Sequence, residues 1–461
     1  MASKNANAQR AYENALRVID PWLEYKQYIR ELPGMSVGIF HDGRMLFAQG
    51  YGFADSKRNT PTTASTSYRV ASISKVFTAV AIIQLQEQQK LTITDPVSAY
   101  LNWFFSPGNP STKKLTIKDL LSHTGGITRD GMTEHWNKDT FPTIEHIKQQ
   151  VRDGGIQVLL PHTRFKYSNF GYAVLGELIH CVSGMTYEEY ITKHIIEKLH
   201  LRHTVTSPAS SQGTLATGYG RFIPRKRRET FRSADTKGFT AAAGVISNVK
   251  DLCTFFSALF PGDNRLLSEK SKKLMQKVVG RRKGEQFEYG LGLELWKEKE
   301  FRRSGHGGGF QGYTSYIQCD VKRRLVVVIL TNAMDPVPRQ LTLSIFHTLQ
   351  AFEDRRFYAS PSRTLQRYEG RYSDRWGKRD VVAMNASLLS YDPEALQPMK
   401  DIAELKPLRG HPHTFVIHGD SDFGNHGEHV MFIFGRAGTP IRMKWGPDYA
   451  DAVSNNKRNP F

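Results

Sequence analysis

Apolar residues recur at helical spacing near the start of the chain, with Ala15, Leu16, Ile19, Trp22 and Leu23 on one face, and predict a helix over residues 9–32. The next stretch, "GMSVGIFHDGRMLFAQGYG", alternates apolar and polar positions around Asp42-Gly43, which predicts a β-hairpin. From Val76 to Leu85 nearly every residue is apolar, the pattern of a helix buried on all sides. Between about 95 and 275 the pattern is mostly helical, with helices expected at 115–122, 143–152, 170–183, 186–198, 249–259 and 268–278. "GYTSYIQCDVKRRLVVVILTN" then predicts two strands joined by a turn at Asp320 to Arg323, followed by a helix over 337–354.

The helical pattern breaks at "YASPSR" (Tyr358 to Arg363). Beyond it come short strands, expected at 368–372, 381–384, 414–418, 430–434 and 441–445. The fold class that follows is α/β in the broad, α+β sense. An antiparallel sheet flanked by helices is built from both ends of residues 1–358, with an all-helical subdomain inserted at about 95–275. Residues 363–461 form a separate small all-β domain. A length of 461 residues, more than one core usually supports, agrees with two domains.

Composition is that of a globular protein, 39% hydrophobic and 23% charged, so disorder is excluded as the general state. The formal charge of +19 concentrates in "RFIPRKRRETFR" (Arg221 to Arg232), with a smaller run at Arg281-Arg282-Lys283. Neither run comes with a recognition helix, zinc finger or stacking-aromatic motif. Nucleic acid is therefore disfavoured as a partner, and the runs read as a solvated surface that steers anionic substrates. Cys181, Cys253 and Cys319 lie far apart, which argues against a disulfide framework or a structural zinc site. No apolar run is long enough to span a bilayer, and the start lacks the apolar core of a secretory signal, so a cytoplasmic setting and no membrane partner are expected.

One feature of the buried helix demands chemistry. It opens with Ser72 and, one turn later, Lys75, and an ammonium inside an apolar helix costs several kcal/mol unless it is partnered or loses its proton. At i and i+3 the amine reaches the hydroxyl, and a desolvated amine can take or relay the proton that a serine nucleophile must lose. The Ser-x-x-Lys pattern also occurs at Ser111, Ser247 and Ser454, so context carries the weight: only Ser72 opens a long buried helix. A second element is "RFKYSNFGY", where Tyr167 and Asn169 stand at a helix start. The phenol there can share a proton with Lys75 and the carboxamide can hold a carbonyl, while the plain alternative is a helix cap beside a packing tyrosine. A third is "SGHGGGFQGYTSYI", with His306, Gly307, Gly308 and Gly309 just before an alternating strand. Glycines there allow a substrate to lie along a strand edge, and a backbone N–H at Gly309 can face an oxyanion; the alternative is a glycine-rich turn.

Together the three elements resemble the boxes of the serine β-lactamase and penicillin-binding-protein superfamily, in its class C, D-alanyl-D-alanine carboxypeptidase and family VIII esterase branch. "VASISKVFTA" is similar to the nucleophile segment, "YSN" to the Tyr-x-Asn box and "HGGG" to the third box, and "LLSHTGGI" resembles a segment these proteins commonly carry. The resemblance covers about residues 20–355, and the tail from "LQRYEGRY" resembles a lipocalin-like barrel appended to some members. It implies Ser72 as the acylated nucleophile, Lys75 and Tyr167 as its proton shuttle with Tyr167 as the base for attack and deacylation, and Asn169 binding the substrate amide or the lysine. It further implies Ser72 and Gly309 N–H groups as the oxyanion hole, and His306 and Gly308 along the substrate. No cofactor or metal is implied. The expected activity is hydrolysis of an ester or a peptide/amide bond in a small-molecule substrate, D-residue peptides included, with room for a homo-oligomer. Acyl transfer, weak β-lactamase action and a non-catalytic scaffold are the alternatives. The third box departs from the usual Lys-Thr-Gly or Lys-Ser-Gly, and so lacks the lysine and hydroxyl that help bind a β-lactam carboxylate.

Overall fold

The computed structural model describes residues 2–106, 108–210, 215–281, 284, 287–298, 301–419 and 425–453. Ser454, Arg282, Lys283 and the final residues of the C-terminal domain lie outside them. The backbone separates into two compact units, residues 31–342 and residues 1–30 with 343–461. Five helices matter below: α1 (Ala2–Ile29), α2 (Ser74–Glu87), α3 (Asn169–Ser183), α4 (Val249–Ser257) and α5 (Pro338–Asp354).

In the larger unit the described residues form a nine-stranded antiparallel sheet. Its strands are β1 (Gly34–His41), β2 (Arg44–Asp55), β3 (Thr60–Pro61), β4 (Gly280–Arg281), β5 (Phe287–Tyr289), β6 (Glu294–Glu298), β7 (Phe301–Phe310), β8 (Tyr313–Asp320) and β9 (Leu325–Thr331). They lie in the order β3-β2-β1-β9-β8-β7-β6-β5-β4. The seam between the early and late strands is β1 against β9, from Met35 opposite Thr331 to His41 opposite Leu325. Every residue of β9 is buried, because its apolar run "LVVVILT" is sandwiched in the sheet centre and α4 lies across it. Gly38 permits that approach: a Cβ there would stand 3.0 Å from Val249 Cβ. The helical block lies in sequence between β3 and β4, as the periodicity requires.

Three local differences from the sequence pattern have physical reasons. Helix α1 begins at Ala2 rather than near residue 9. The α-helix expected to open at Ser72 starts at Ser74, after a 3₁₀ turn over Ala71–Ile73 that carries the serine. The helix expected over 186–198 is Tyr187–Ile191 running into a π-turn at Thr192–Ile196.

In the smaller unit the described residues close an eight-stranded barrel. It consists of β10 (Gly370–Ser373), β11 (Lys378–Met384), β12 (Ser387–Tyr391), β13 (Ile402–Pro407), β14 (Thr414–His418), β15 (His429–Phe434), β16 (Pro440–Trp445) and β17 (Asp448–Ala452). Pairing of Tyr372 with Ala452 and Ser373 with Asp451 closes it. Tyr372, Leu388, Leu405, Phe415, Phe432 and Met443 fill the interior. Strands β12, β13 and β17 escape the alternation rule. All five residues of β12 are buried, since α1 packs in this unit: the Trp22 indole donates to Ala395 O at 3.0 Å and Tyr391 donates to Val18 O at 3.3 Å. The N-terminal helix therefore packs with the barrel unit, a long-range pairing that a reading in chain order assigns to the first 358 residues.

Candidate active site

Ser72 sits partly exposed in the 3₁₀ turn at the mouth of α2. Ala71 before it has φ of 51°, a left-handed backbone that a non-glycine residue holds only when its surroundings impose it. The surroundings are explicit. Val70 N donates to Val245 O at 3.1 Å, Ser315 Oγ donates to Val70 O at 3.0 Å, and Val245 N donates to Ser74 Oγ at 3.0 Å. Strand β8 and the segment at Val245, within the helical block, thus clamp the Ser72 turn from two sides.

Lys75 is completely buried and points back along the helix to the serine. Its Nζ donates to Asn169 Oδ1 at 2.7 Å and to Ala242 O at 2.8 Å, and stands 3.1 Å from Ser72 Oγ. Burial holds the amine well below the usual lysine range. A neutral amine has two protons and one lone pair. Its two protons match the two acceptors, leaving the lone pair for the serine hydroxyl. Asn169 is itself oriented: its Nδ2 donates to Asp130 Oδ1 at 2.7 Å, which turns the amide oxygen toward Lys75.

Tyr167 completes the group. Its hydroxyl is hydrogen-bonded to the Ser72 side chain, and Lys75 Nζ lies 4.9 Å from its ring centre. Burial pushes the phenol above its usual range, so at neutral pH it is a protonated relay rather than a phenolate. Ser168 caps α3, its Oγ accepting Gly171 N at 2.8 Å, which fixes where Tyr167 leaves the backbone.

The third box lies inside β7 rather than ahead of a strand. β6 pairs with β7 only from Phe301 to Gly305, so among the described residues His306 to Phe310 are paired on the β8 side alone and present a free edge. Gly308 faces the nucleophile turn: a Cβ there would stand 2.3 Å from Val70 O and 2.3 Å from Ser315 Oγ. Gly309 is exposed, with nothing within 4 Å of a Cβ position. His306 differs from the sequence expectation of a residue flanking the substrate. It is 1% exposed, its Nε2 accepts from the Tyr289 hydroxyl at 2.9 Å, and its Nδ1–H donates to Gly307 O at 2.6 Å. Burial foremost, and then Lys75, lower its pKa from 6.5 to about 3. The residue in the place of the usual lysine is thus a neutral imidazole beneath the cleft.

That imidazole has a measurable consequence. Between about 6.5 and about 3 the unfolded chain binds a proton at His306 that the folded chain refuses, so stability falls as pH falls through that window. In urea titrations wild type is expected to lose stability more steeply than His306→Gln, by about 1 kcal/mol per pH unit. Parallel curves would remove His306 as the source.

Asp130, Tyr289 and His123 are site residues that the motifs did not supply; only His123 lay in a segment singled out beforehand, "LLSHTGGI". The other described Ser-x-x-Lys matches separate cleanly. Ser111 hydrogen-bonds Asn109 and Gln157 while Lys114 is exposed, and Ser247 is buried against Thr204 while Lys250 is exposed.

The family model described as Beta-lactamase matches residues 20–351. The chain is similar to "Protein flp" of Staphylococcus aureus (strain MW2), 24% identical over 369 residues that cover 79% of this chain and 72% of that protein. Among solved structures it is similar to the octameric penicillin-binding protein homologue from Pyrococcus abyssi, with TM-score 0.64, 24% identity and coverage of 94% and 99%. It is also similar to the D-stereospecific amidohydrolase from Streptomyces sp., with TM-score 0.57, 25% identity and coverage of 72% and 94%. The chain belongs to the beta-lactamase family, with the serine-hydrolase fold of that family.

Proposed function

We propose that residues 31–342 carry a serine hydrolase site that passes through an acyl-enzyme at Ser72 and cleaves an ester or a peptide/amide bond, with residues 363–461 as an appended barrel module. The observation that carries the reading is the coordination of Lys75 Nζ: two acceptors take its protons, and Ser72 Oγ stands 3.1 Å away. In the proposed sequence Lys75 accepts the Ser72 proton while Oγ attacks the carbonyl carbon. The oxyanion meets the N–H groups of Ser72 and Gly309. The leaving group takes that proton from Lys75 through the Tyr167 hydroxyl; water then attacks the acyl-serine ester, passing one proton to Lys75, and as the second intermediate collapses that proton returns to Ser72 Oγ and the acid is released. Asn169 holds the amine in line, and His306 lies beneath the substrate edge as a neutral hydrogen-bonding group.

The substrate class follows from what the third box lacks. With a neutral, buried His306 and two glycines there is neither cation nor hydroxyl to anchor a substrate carboxylate beside Gly309. That disfavours β-lactams and favours small esters and D-residue amides, the latter in keeping with the amidohydrolase similarity. Incubation of the folded protein with a fluorophosphonate probe, followed by peptide mapping, is expected to place one adduct on the Ser72 peptide. An adduct elsewhere, or none, would overturn the reading. Turnover of p-nitrophenyl esters against D-amino-acid amides then separates the two substrate classes.

A further inference from the structure

We infer that His123 is the positioning residue that holds Tyr167 in register with Ser72 and Lys75, an inference that rests on the hydrolase reading above. His123 grips the chain on both sides of the tyrosine. Lys166 N donates to His123 O at 2.8 Å, and Ser168 N donates to His123 Nδ1 at 3.1 Å. Its ring lies against the phenol itself, with centroids 4.3 Å apart. Residues 166 and 168 are thereby anchored to one buried residue, Lys166 to its main-chain carbonyl and Ser168 to its ring, and residue 167 between them has little freedom to swing.

The backbone adds an independent observation. His123 has φ of 60°, the left-handed region that glycine adopts freely and a bulky residue adopts with strain. For the bend alone, glycine serves better, as it does at Gly126, where φ is 70°. What histidine adds is an acceptor at Nδ1 and a flat face against Tyr167. Because Nδ1 accepts, the proton of the neutral ring sits on Nε2, which is buried with no hydrogen-bond partner among the described residues. The ring lies among Phe165, Tyr167, Tyr172 and Tyr289. Burial foremost holds His123 neutral, the state in which Nδ1 can accept. A protonated ring would set N–H against the N–H of Ser168.

The test compares rates of fluorophosphonate adduct formation at Ser72 in His123→Gly, His123→Asn, Tyr167→Phe and the double variant His123→Gly/Tyr167→Phe. Glycine satisfies the left-handed backbone, so His123→Gly is expected to fold and yet label about 100-fold more slowly, the scale of loss from a misplaced catalytic group. Asparagine tolerates that backbone and supplies an acceptor, so it is expected to recover part of the rate. Adding His123→Gly to Tyr167→Phe is expected to cost nothing further, since the first change acts through the second residue. A wild-type rate in His123→Gly, or losses that multiply in the double variant, would overturn the inference. If wild type itself fails to label, the hydrolase reading falls, and the position of Tyr167 is read instead from its titration by carbon-13 tyrosine NMR. There His123→Gly is expected to bring the Tyr167 phenol down toward the ordinary range, and an unchanged titration would overturn the inference.

Discussion

Lys75→Met is expected to slow acylation of Ser72 by about 1,000-fold while the protein stays folded, and Ser72→Ala to abolish it. Methionine nearly matches the volume of lysine, so the packing of α2 is kept and no cavity opens. Two acceptors are left without a donor, Asn169 Oδ1 and Ala242 O, each at about 1–3 kcal/mol. Against this, a buried amine that must be kept from its hydration shell is removed, a change that is often neutral or stabilising. The melting temperature is therefore expected to move by a few degrees at most, while the labelling rate collapses. The decisive comparison is the pseudo-first-order rate of adduct formation by intact mass, beside thermal unfolding of the same samples. A folded Lys75→Met protein that labels at the wild-type rate would take Lys75 out of the chemistry and leave Tyr167 as the only proton acceptor at the serine.

Gly308→Ala is the second substitution with a large expected effect, and here geometry decides. The added carbon would stand 2.3 Å from Val70 O and 2.3 Å from Ser315 Oγ, and 3.2 Å from Ala71 Cβ. The serine side chain can rotate away, but Val70 O is backbone and belongs to the turn that carries Ser72. Strand β7 and that turn must separate, and the Ser315 to Val70 hydrogen bond is the contact they lose. A shift of about 1 Å between nucleophile and oxyanion donors is worth about 100-fold in rate. Overpacking of this kind costs about 1–3 kcal/mol in stability. Gly309→Ala is the internal control: its Cβ would meet nothing within 4 Å, so stability is expected to be unchanged. Measured side by side by labelling rate and thermal unfolding, equal behaviour of the two variants would show that β7 does not press on the nucleophile turn.

The candidate base also illustrates how position sets chemistry. Lys75 is buried and Tyr167 half-buried, and the loss of water moves them in opposite senses, the phenol up and the amine down, because it disfavours the charged form of each. In the proposed mechanism the pair divides the work, the amine supplying a lone pair and the phenol a proton. The imidazole of His306 keeps a further cation out of the same space.

Much of the site could be read from local pattern. Ser72 and Lys75 share a helix face because three residues span nearly one turn, and an apolar run after them marks the helix as buried; both facts are local. Tyr167 and Asn169 announced themselves as residues at a helix start, and the glycines of the third box as a strand edge along which a substrate could lie. Asp130 did not, because nothing around it in sequence ties it to Asn169; the link exists only once the loop folds over α3. Tyr289 is hidden in the same way, since its partner His306 reaches it across strands rather than along one. Strand β12 was missed because burial on both faces erases the alternation by which a strand is recognised.

By itself, then, the sequence determined most of the elements, their order, the insertion of a mostly helical block between two halves of a sheet, the barrel tail and the candidate residues for chemistry. These follow from propensity and periodicity, which act over a few residues. The tertiary structure decided what those residues are at neutral pH and which of them meet. The Lys75 amine is held well below the usual lysine range, and His306 stays neutral beneath the cleft, because neighbours from distant segments exclude water from both. The turn at Ala71 is held left-handed because Val245 and Ser315 arrive to hold it. Desolvation and long-range hydrogen bonding exist only between segments that folding brings together, and no local pattern carries them.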